Sequence, residues 1–303
     1  MNMPAATLEC RLLSACNCAY AIDDQGVFTA PAPYFDATGF TTAPTAIVGG
    51  QDNINAALVG VNSDGIIIAF RGTLPPDVLD LPSLLDWAQD FEAGLTPITS
   101  IEGIPGKVHS GFWRGLDTIW DGVLAAVKAA QAAGSGSQRI YVTGHSKGGG
   151  FAHLAAMRFQ AAEQITPTEV CTFASPRVGD AEFAAVYDQA ISAFRYEYQD
   201  DIVPHLPLDI TVATALKHSS FLSNQLESLP VFDYADVGTL RFINWDNQIA
   251  GDSDSGPVKA ERLASLALLI IRQKIGTIVS DHRAGCGGGY MTQVCPGTCP
   301  IAQ

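Results

Sequence analysis

Basic side chains are scarce: 17 Lys and Arg stand against 31 Asp and Glu, a formal charge of −14 at pH 7. A field of that sign repels phosphate backbones and anionic bilayer surfaces, so nucleic acid is not an expected partner. Long apolar runs are missing too. The longest strongly apolar helical stretch, Leu263 to Ile271, stops at Arg272, far short of the roughly 20 residues a membrane-spanning helix needs. A soluble protein without a transmembrane segment is expected. No fixed-period repeat and no long Pro/Ser/Gly linker divides the chain, so residues 1–303 read as a single domain. Charged residues are 16% of the total against 47% hydrophobic ones, which excludes disorder as the main theme. A chain of 303 residues can bury roughly three quarters of its unfolded surface, enough for one large core.

The N-terminal stretch lacks a basic region followed by an uninterrupted apolar run and reads as a first helix, not a signal peptide. The compartment stays open, since a leader trimmed beforehand would leave no trace. Seven cysteines fall mainly in two clusters, Cys10, Cys16 and Cys18 near the start and Cys286, Cys295 and Cys299 near the end. Disulfides joining the chain ends, a zinc site and reduced thiols all fit these clusters. The spacing lacks the paired Cys-x2-Cys usual for structural zinc, and the odd count leaves at least one thiol unpaired. Cys171, between them, reads as a small buried strand residue.

Short runs rich in β-branched residues recur at Ala46–Gly49, Ala56–Asn62, Gly65–Phe70, Arg139–Thr143, Glu169–Ala174, Ala193–Tyr198 and Thr239–Trp245, each bounded by turn formers. Between several of them lie helical patterns. Trp113, Leu116, Trp120, Val123 and Val127 recur at helical spacing before a break at Gly134, and further helices are expected over Lys147–Ala162, Ala181–Gln189 and Val258–Ile278. Strand and helix in alternation predict an α/β fold with a mainly parallel sheet covered on both faces, the early runs forming an antiparallel edge.

One pentapeptide sits where its chemistry requires. Gly144-His145-Ser146-Lys147-Gly148 directly follows the strand around Tyr141 and directly precedes the Lys147 helix. A serine at such a strand-to-helix elbow takes a strained backbone, and flanking glycines remove the Cβ atoms that would collide there. A serine hydroxyl attacks only with a base beside it, and that base needs a carboxylate to fix its tautomer. In this architecture the order is Ser, acid, His. The acid candidates are Asp200 and Asp201, just beyond the strand ending at Tyr198. Of the later histidines, His205 and His218 read as loop residues, and His282 follows both the last strand and the last helix, where the base should arrive. His109 and His153 read as packing or hydrogen-bonding residues, and His145 must point away from Ser146.

Seven blocks in order now resemble the fungal-type, or class 3, lipase family of the α/β-hydrolase superfamily. They are Gly65–Thr73 (GIIIAFRGT), Asp86–Asp90 (DWAQD), Val108–Phe112 (VHSGF), the serine elbow, Thr172–Asp180 (TFASPRVGD), Asp201–Pro204 (DIVP), and Asp281-His282 with Tyr290 beyond. The resemblance implies an α/β-hydrolase fold with Ser146 as nucleophile, Asp201 in preference to Asp200 as orienting acid, and His282 as base. It implies an oxyanion hole from the Thr73 backbone N–H and hydroxyl together with the Lys147 backbone N–H. It places a short lid over residues 74–86, a segment rich in leucine but also stiffened by prolines. The implied function is a serine carboxylester hydrolase, a lipase acting on acylglycerol-type esters, with lipid esters and a transient lipid–water interface as partners and no metal or organic cofactor. A feruloyl esterase, a phospholipase A or a polyester hydrolase would share the chemistry. A non-catalytic hydrolase-fold binding protein is the rival of a different class.

Overall fold

The computed structural model describes residues 6–73, 94–97, 103–134, 139–207, 233–250, 256–272 and 274–299. The expected lid over 74–86, Trp87 and His218 lie outside the described residues. The chain begins with α1 (Leu8–Ala19), which is N-capped by the Thr7 hydroxyl accepting from the Cys10 amide, and α2 (Tyr34–Thr38). Strands β1 (Thr45–Gly49), β2 (Asn55–Val61), β3 (Ile66–Phe70), β4 (Leu95–Pro97) and β5 (Lys107–His109) follow. Next come α3 (Ser110–Asp117), α4 (Trp120–Ala133), β6 (Ile140–His145), α5 (Lys147–Ala162), β7 (Glu169–Phe173), β8 (Gly179–Asp180) and α6 (Ala181–Ala190). The last part holds β9 (Ala193–Tyr198), β10 (Tyr234–Ala235), β11 (Thr239–Ile243), β12 (Ile249–Ala250), α7 (Gly256–Ile271), α8 (Ile275–Asp281) and α9 (Gly289–Val294).

Among the described residues, one sheet runs in the order β1-β2-β3-β6-β7-β9-β11-β12. Its centre, β3-β6-β7-β9-β11, is parallel. The first edge, β1-β2-β3, is antiparallel as expected, and β12 closes the other edge antiparallel to β11. Parallel strands joined by helices are buried on both faces and read as continuous apolar runs. In β3, Ile66, Ile68 and Phe70 join one core with α3, α4, α5 and α6, while Ile67 and Ala69 join a second core with α1 and α9. The expected single helix through Trp113–Val127 is instead α3 and α4. Thr118 Oγ donates to the Gly115 carbonyl at 2.7 Å and competes with continued helix bonding there. The expected Val258–Ile278 helix likewise divides into α7 and α8, where the Lys274 amide bonds the Leu269 carbonyl at 2.8 Å and closes α7 in a wide turn.

The cysteine alternatives resolve into two disulfides. Cys10–Cys295 ties α1 to the end of α9 across 285 residues, and Cys286–Cys299 closes a short loop between them. Cys16, Cys18 and Cys171 are buried thiols. Burial pushes Cys16 and Cys18 each up to about 12, which keeps both protonated at neutral pH.

Candidate active site

At the end of β6 the backbone turns sharply. Ser146 has φ 57° and ψ −134°, a region that non-glycine residues avoid and that carries roughly 1–3 kcal/mol of strain. The flanking glycines make the turn fit. A Cβ on Gly144 would lie 2.0 Å from the Gly148 carbonyl, and one on Gly148 would lie 2.1 Å from the Phe70 carbonyl of β3. The Ser146 backbone is held on both sides, its N–H donating to Phe173 at 3.0 Å and its carbonyl accepting from Gly149 at 2.8 Å. Its side chain is not. Ser146 is fully buried and its Oγ makes no hydrogen bond among the described residues. An unsatisfied buried hydroxyl costs roughly 1–3 kcal/mol and calls for a functional explanation.

Beyond β9 the chain turns through Gln199 at φ 34° and delivers Asp201, which is 1% exposed. Its carboxylate accepts from His282 Nδ1 at 2.9 and 3.1 Å, from the Tyr290 hydroxyl at 2.8 Å and from the Val203 amide at 3.0 Å. Burial by itself would push this carboxyl up, but the facing imidazole and these donors outweigh it and hold Asp201 below the usual carboxylate range. A carboxylate on Nδ1 requires the proton there, which makes Nε2 the acceptor nitrogen of the His282 ring. Asp200 is turned elsewhere and accepts the Trp245 indole N–H at 2.9 Å. Of the two candidate acids, Asp201 is therefore the one at His282.

The link between the elbow and His282 runs through the residue that precedes Ser146. His145 meets the His282 carbonyl through Nε2 at 2.7 Å, and the two rings lie 4.7 Å apart. A direct Ser146–His282 hydrogen bond, expected from the sequence, is not made. Such contacts commonly close only around substrate.

Thr73 stands three residues past β3, where two cavities of about 810 and 370 Å³ meet, both lined by Thr73 and Tyr20. Volumes of this order suit small-molecule ligands. The smaller cavity reaches His145, His282 and Tyr34, and the larger runs between the 20–24 and 51–54 segments. Arg71 clamps both walls of the larger one by donating to the carbonyls of Ile22 at 2.6 Å, Asn53 at 2.9 Å and Ile54 at 3.1 Å. Lys147 begins α5, its ammonium donating to the Asn55 side-chain oxygen at 3.1 Å and lying over the Phe151 ring.

The other described histidines are buried. His153 bonds Tyr187 and Thr172, His109 caps α3 by accepting from the Phe112 amide, and His205 is a buried turn residue. The sequence reading missed Arg71, Tyr20 and the tether role of His145. Arg71 lay inside a recognised block, whereas nothing local to Tyr20 signals its place.

Comparison with known proteins adds a partial family match. The class 3 lipase family model matches residues 67–211, which include Thr73, Ser146, Lys147 and Asp201 but not His282. A Caenorhabditis elegans lipase is 36% identical over 145 residues, covering 47% of this chain and 38% of the relative. A secreted mono- and diacylglycerol lipase of Fusarium solani is 30% identical over 164 residues, 54% of this chain and 45% of the relative. The chain thus spans less than half the length of these two relatives. Among solved structures, a Rhizomucor miehei lipase propeptide complex aligns with a TM-score of 0.60 at 22% identity over 87% of this chain and 78% of that one. Lipase II of Rhizopus niveus aligns with a TM-score of 0.58 at 20% identity over 78% and 79%. These structural likenesses carry the fold, and the class 3 lipase match spans just under half of the chain, the elbow and Asp201 among its residues.

Proposed function

We propose that the chain is a serine carboxylester hydrolase acting on acylglycerol-type esters. The observation that carries this reading is the buried Asp201–His282 pair, with the imidazole in the base tautomer, beside a strained elbow whose serine hydroxyl is unsatisfied. Ser146 Oγ attacks the ester carbonyl while His282 Nε2 takes its proton, and the imidazolium so formed is stabilised by Asp201. The Thr73 N–H and hydroxyl and the Lys147 N–H meet the developing oxyanion, each key donor being worth roughly 3–4 kcal/mol in a dry site. Collapse expels the alcohol, which receives the proton from His282. Water then attacks the acyl-enzyme, giving its proton to His282, and the second collapse frees the acid and returns that proton to Ser146. The cycle uses no metal or organic cofactor.

The acylglycerol assignment draws support from the Fusarium relative, whose name records mono- and diacylglycerol lipase activity and secretion. The net charge of −14 works against anionic phospholipid surfaces, which favours neutral acylglycerols over phospholipids. Two disulfides suit an oxidising compartment, so we place the protein outside the cell. No described helix is long and apolar enough to cross a membrane. In this reading residues 1–303 are one hydrolase domain, and residues 74–86 are its lid at a lipid–water interface.

Replacing Ser146 with Ala tests the assignment. The variant is expected to fold as the parent does and to lose p-nitrophenyl ester turnover by at least about a thousandfold. Retained turnover refutes it. Emulsified triacylglycerol assayed against vesicles of anionic phospholipid then separates the lipase from a phospholipase.

A further inference from the structure

Three groups from distant parts of the chain form one hydrogen-bonded line behind the site, and a fourth packs against its near end. Gly72 packs directly against the Tyr20 phenol oxygen. Tyr20 Oη lies 2.8 Å from His145 Nδ1, and His145 Nε2 lies 2.7 Å from the His282 carbonyl oxygen. The direction of the line follows from its far end. A carbonyl only accepts, so His145 must carry a proton on Nε2. Burial, reinforced by His282 alongside, pushes the His145 imidazole down to about 3, so the ring is neutral in the working range and Nδ1 is bare. Tyr20 must therefore donate to it. Burial pushes the Tyr20 phenol well above its ordinary value, so that proton stays available.

The line links three parts of the proposed machinery. Gly72 immediately precedes Thr73, His145 immediately precedes Ser146, and the accepting carbonyl is that of His282 itself. The fit is close, because a Cβ on Gly72 would lie 2.1 Å from the Tyr20 oxygen and 2.6 Å from the His145 carbonyl. Tyr20 also lines both cavities.

We propose that Tyr20 and His145 are positioning residues for ester hydrolysis, a brace that fixes the Thr73 amide, Ser146 and His282 relative to one another through the Tyr20–His145–His282 line and the packing of Gly72 against Tyr20. The inference rests on the hydrolase reading above. Tyr20 locks the His145 tautomer. Without its hydroxyl, Nδ1 competes for the proton, and a bare Nε2 then faces the His282 carbonyl, acceptor against acceptor. The base drifts from the serine although Ser146, Asp201, His282, Thr73 and Lys147 all remain. Small misplacements of reacting groups cost rate and not ground-state binding.

The test compares wild type, Tyr20→Phe, His145→Phe and His145→Gln. It uses a soluble p-nitrophenyl ester, with kcat counted per site titrated by a fluorophosphonate, and records the rate of phosphonylation alongside. Tyr20→Phe is expected to lower kcat and the phosphonylation rate together by about tenfold, the scale of one lost hydrogen bond, with KM within about twofold of wild type. His145→Phe is expected to lose more, about a hundredfold. His145→Gln recovers part of that loss, because its amide donates from the place of Nε2. If His145→Phe does not fold, the Tyr20→Phe and His145→Gln results decide. Tyr20→Phe with wild-type kcat and phosphonylation overturns the brace and leaves the hydrolase reading standing. The same holds for a loss that disappears when rates are counted per titrated site. A wild-type protein that no fluorophosphonate labels overturns both.

Discussion

His145, the neighbour of Ser146, hydrogen-bonds the His282 carbonyl, yet the chain holds Ser146 and His282 by different means. Ser146 sits in the middle of the sheet, between β3 and β7, and its geometry follows from covalent continuity: strand, one strained residue, helix. His282 ends α8, outside the sheet, and is kept in place by tethers from remote sequence. Asn17 of α1 donates to the Ala284 carbonyl at 3.1 Å, the Tyr34 hydroxyl takes the Cys286 amide at 2.7 Å, and Cys10–Cys295 fastens α9 to α1. Tyr290 of α9 then reaches Asp201. A serine built locally should fail only with the fold itself. A histidine held by tethers should loosen one tether at a time.

The sharpest break of this contrast comes at the elbow. Gly144→Ala places a methyl 2.0 Å from backbone that cannot yield, so a loss of roughly 3 kcal/mol or more is expected, visible as insoluble protein or a collapsed denaturant midpoint. The tethers come next. Replacing Cys10 and Cys295 by serine reopens a span of 285 residues, which the chain-entropy account values at about 5.6 kcal/mol, against about 3 kcal/mol for Cys286 and Cys299 with their separation of 13. Denaturant unfolding of the two double variants should rank them in that order. Esterase activity should begin to fall at lower denaturant than the loss of sheet structure, because the His282 end loosens first.

A smaller effect belongs to Asp281, beside His282. Burial raises its carboxyl to about 7, with the charges of Asp200 and Asp201 adding to the shift and the Asp200 amide opposing it. The ordinary value is 3.8, so between roughly pH 4 and 7 the unfolded chain releases this proton while the folded chain keeps it. Stability from this group therefore falls as pH rises through that window. Asp281→Asn should unfold at higher denaturant than wild type at pH 7, with the gain vanishing toward pH 4. An unchanged pH slope contradicts the assignment. The smallest effect is expected on the surface, where removing the exposed Lys128–Glu163 pair should change stability by at most about 0.5 kcal/mol.

The same contrast governs what the sequence discloses. β6, the elbow and α5 are legible because strand run, glycines and helix start are contiguous, and the expected helix Lys147–Ala162 matches α5. The parallel sheet follows from alternation of β-branched runs and helical patterns. Asp201 is legible only as one of two neighbouring carboxylates, and the turn at Gln199 aims it at His282 while Asp200 meets Trp245. The breaks within the two divided helices depend on a threonine hydroxyl and a wide turn that periodicity does not register. The disulfide partners, the Arg71 clamp and Tyr20 depend on which distant segments pack together, and spacing along the chain carries no trace of that.

The central claim is that Ser146 is a nucleophile activated by the Asp201–His282 pair. Its most direct test is mass mapping of the protein after treatment with a fluorophosphonate. The account predicts one adduct per chain, on Ser146, formed in wild type and lost or strongly slowed in His282→Gln. No adduct, an adduct on another residue, or undiminished labelling of Ser146 in His282→Gln would contradict it.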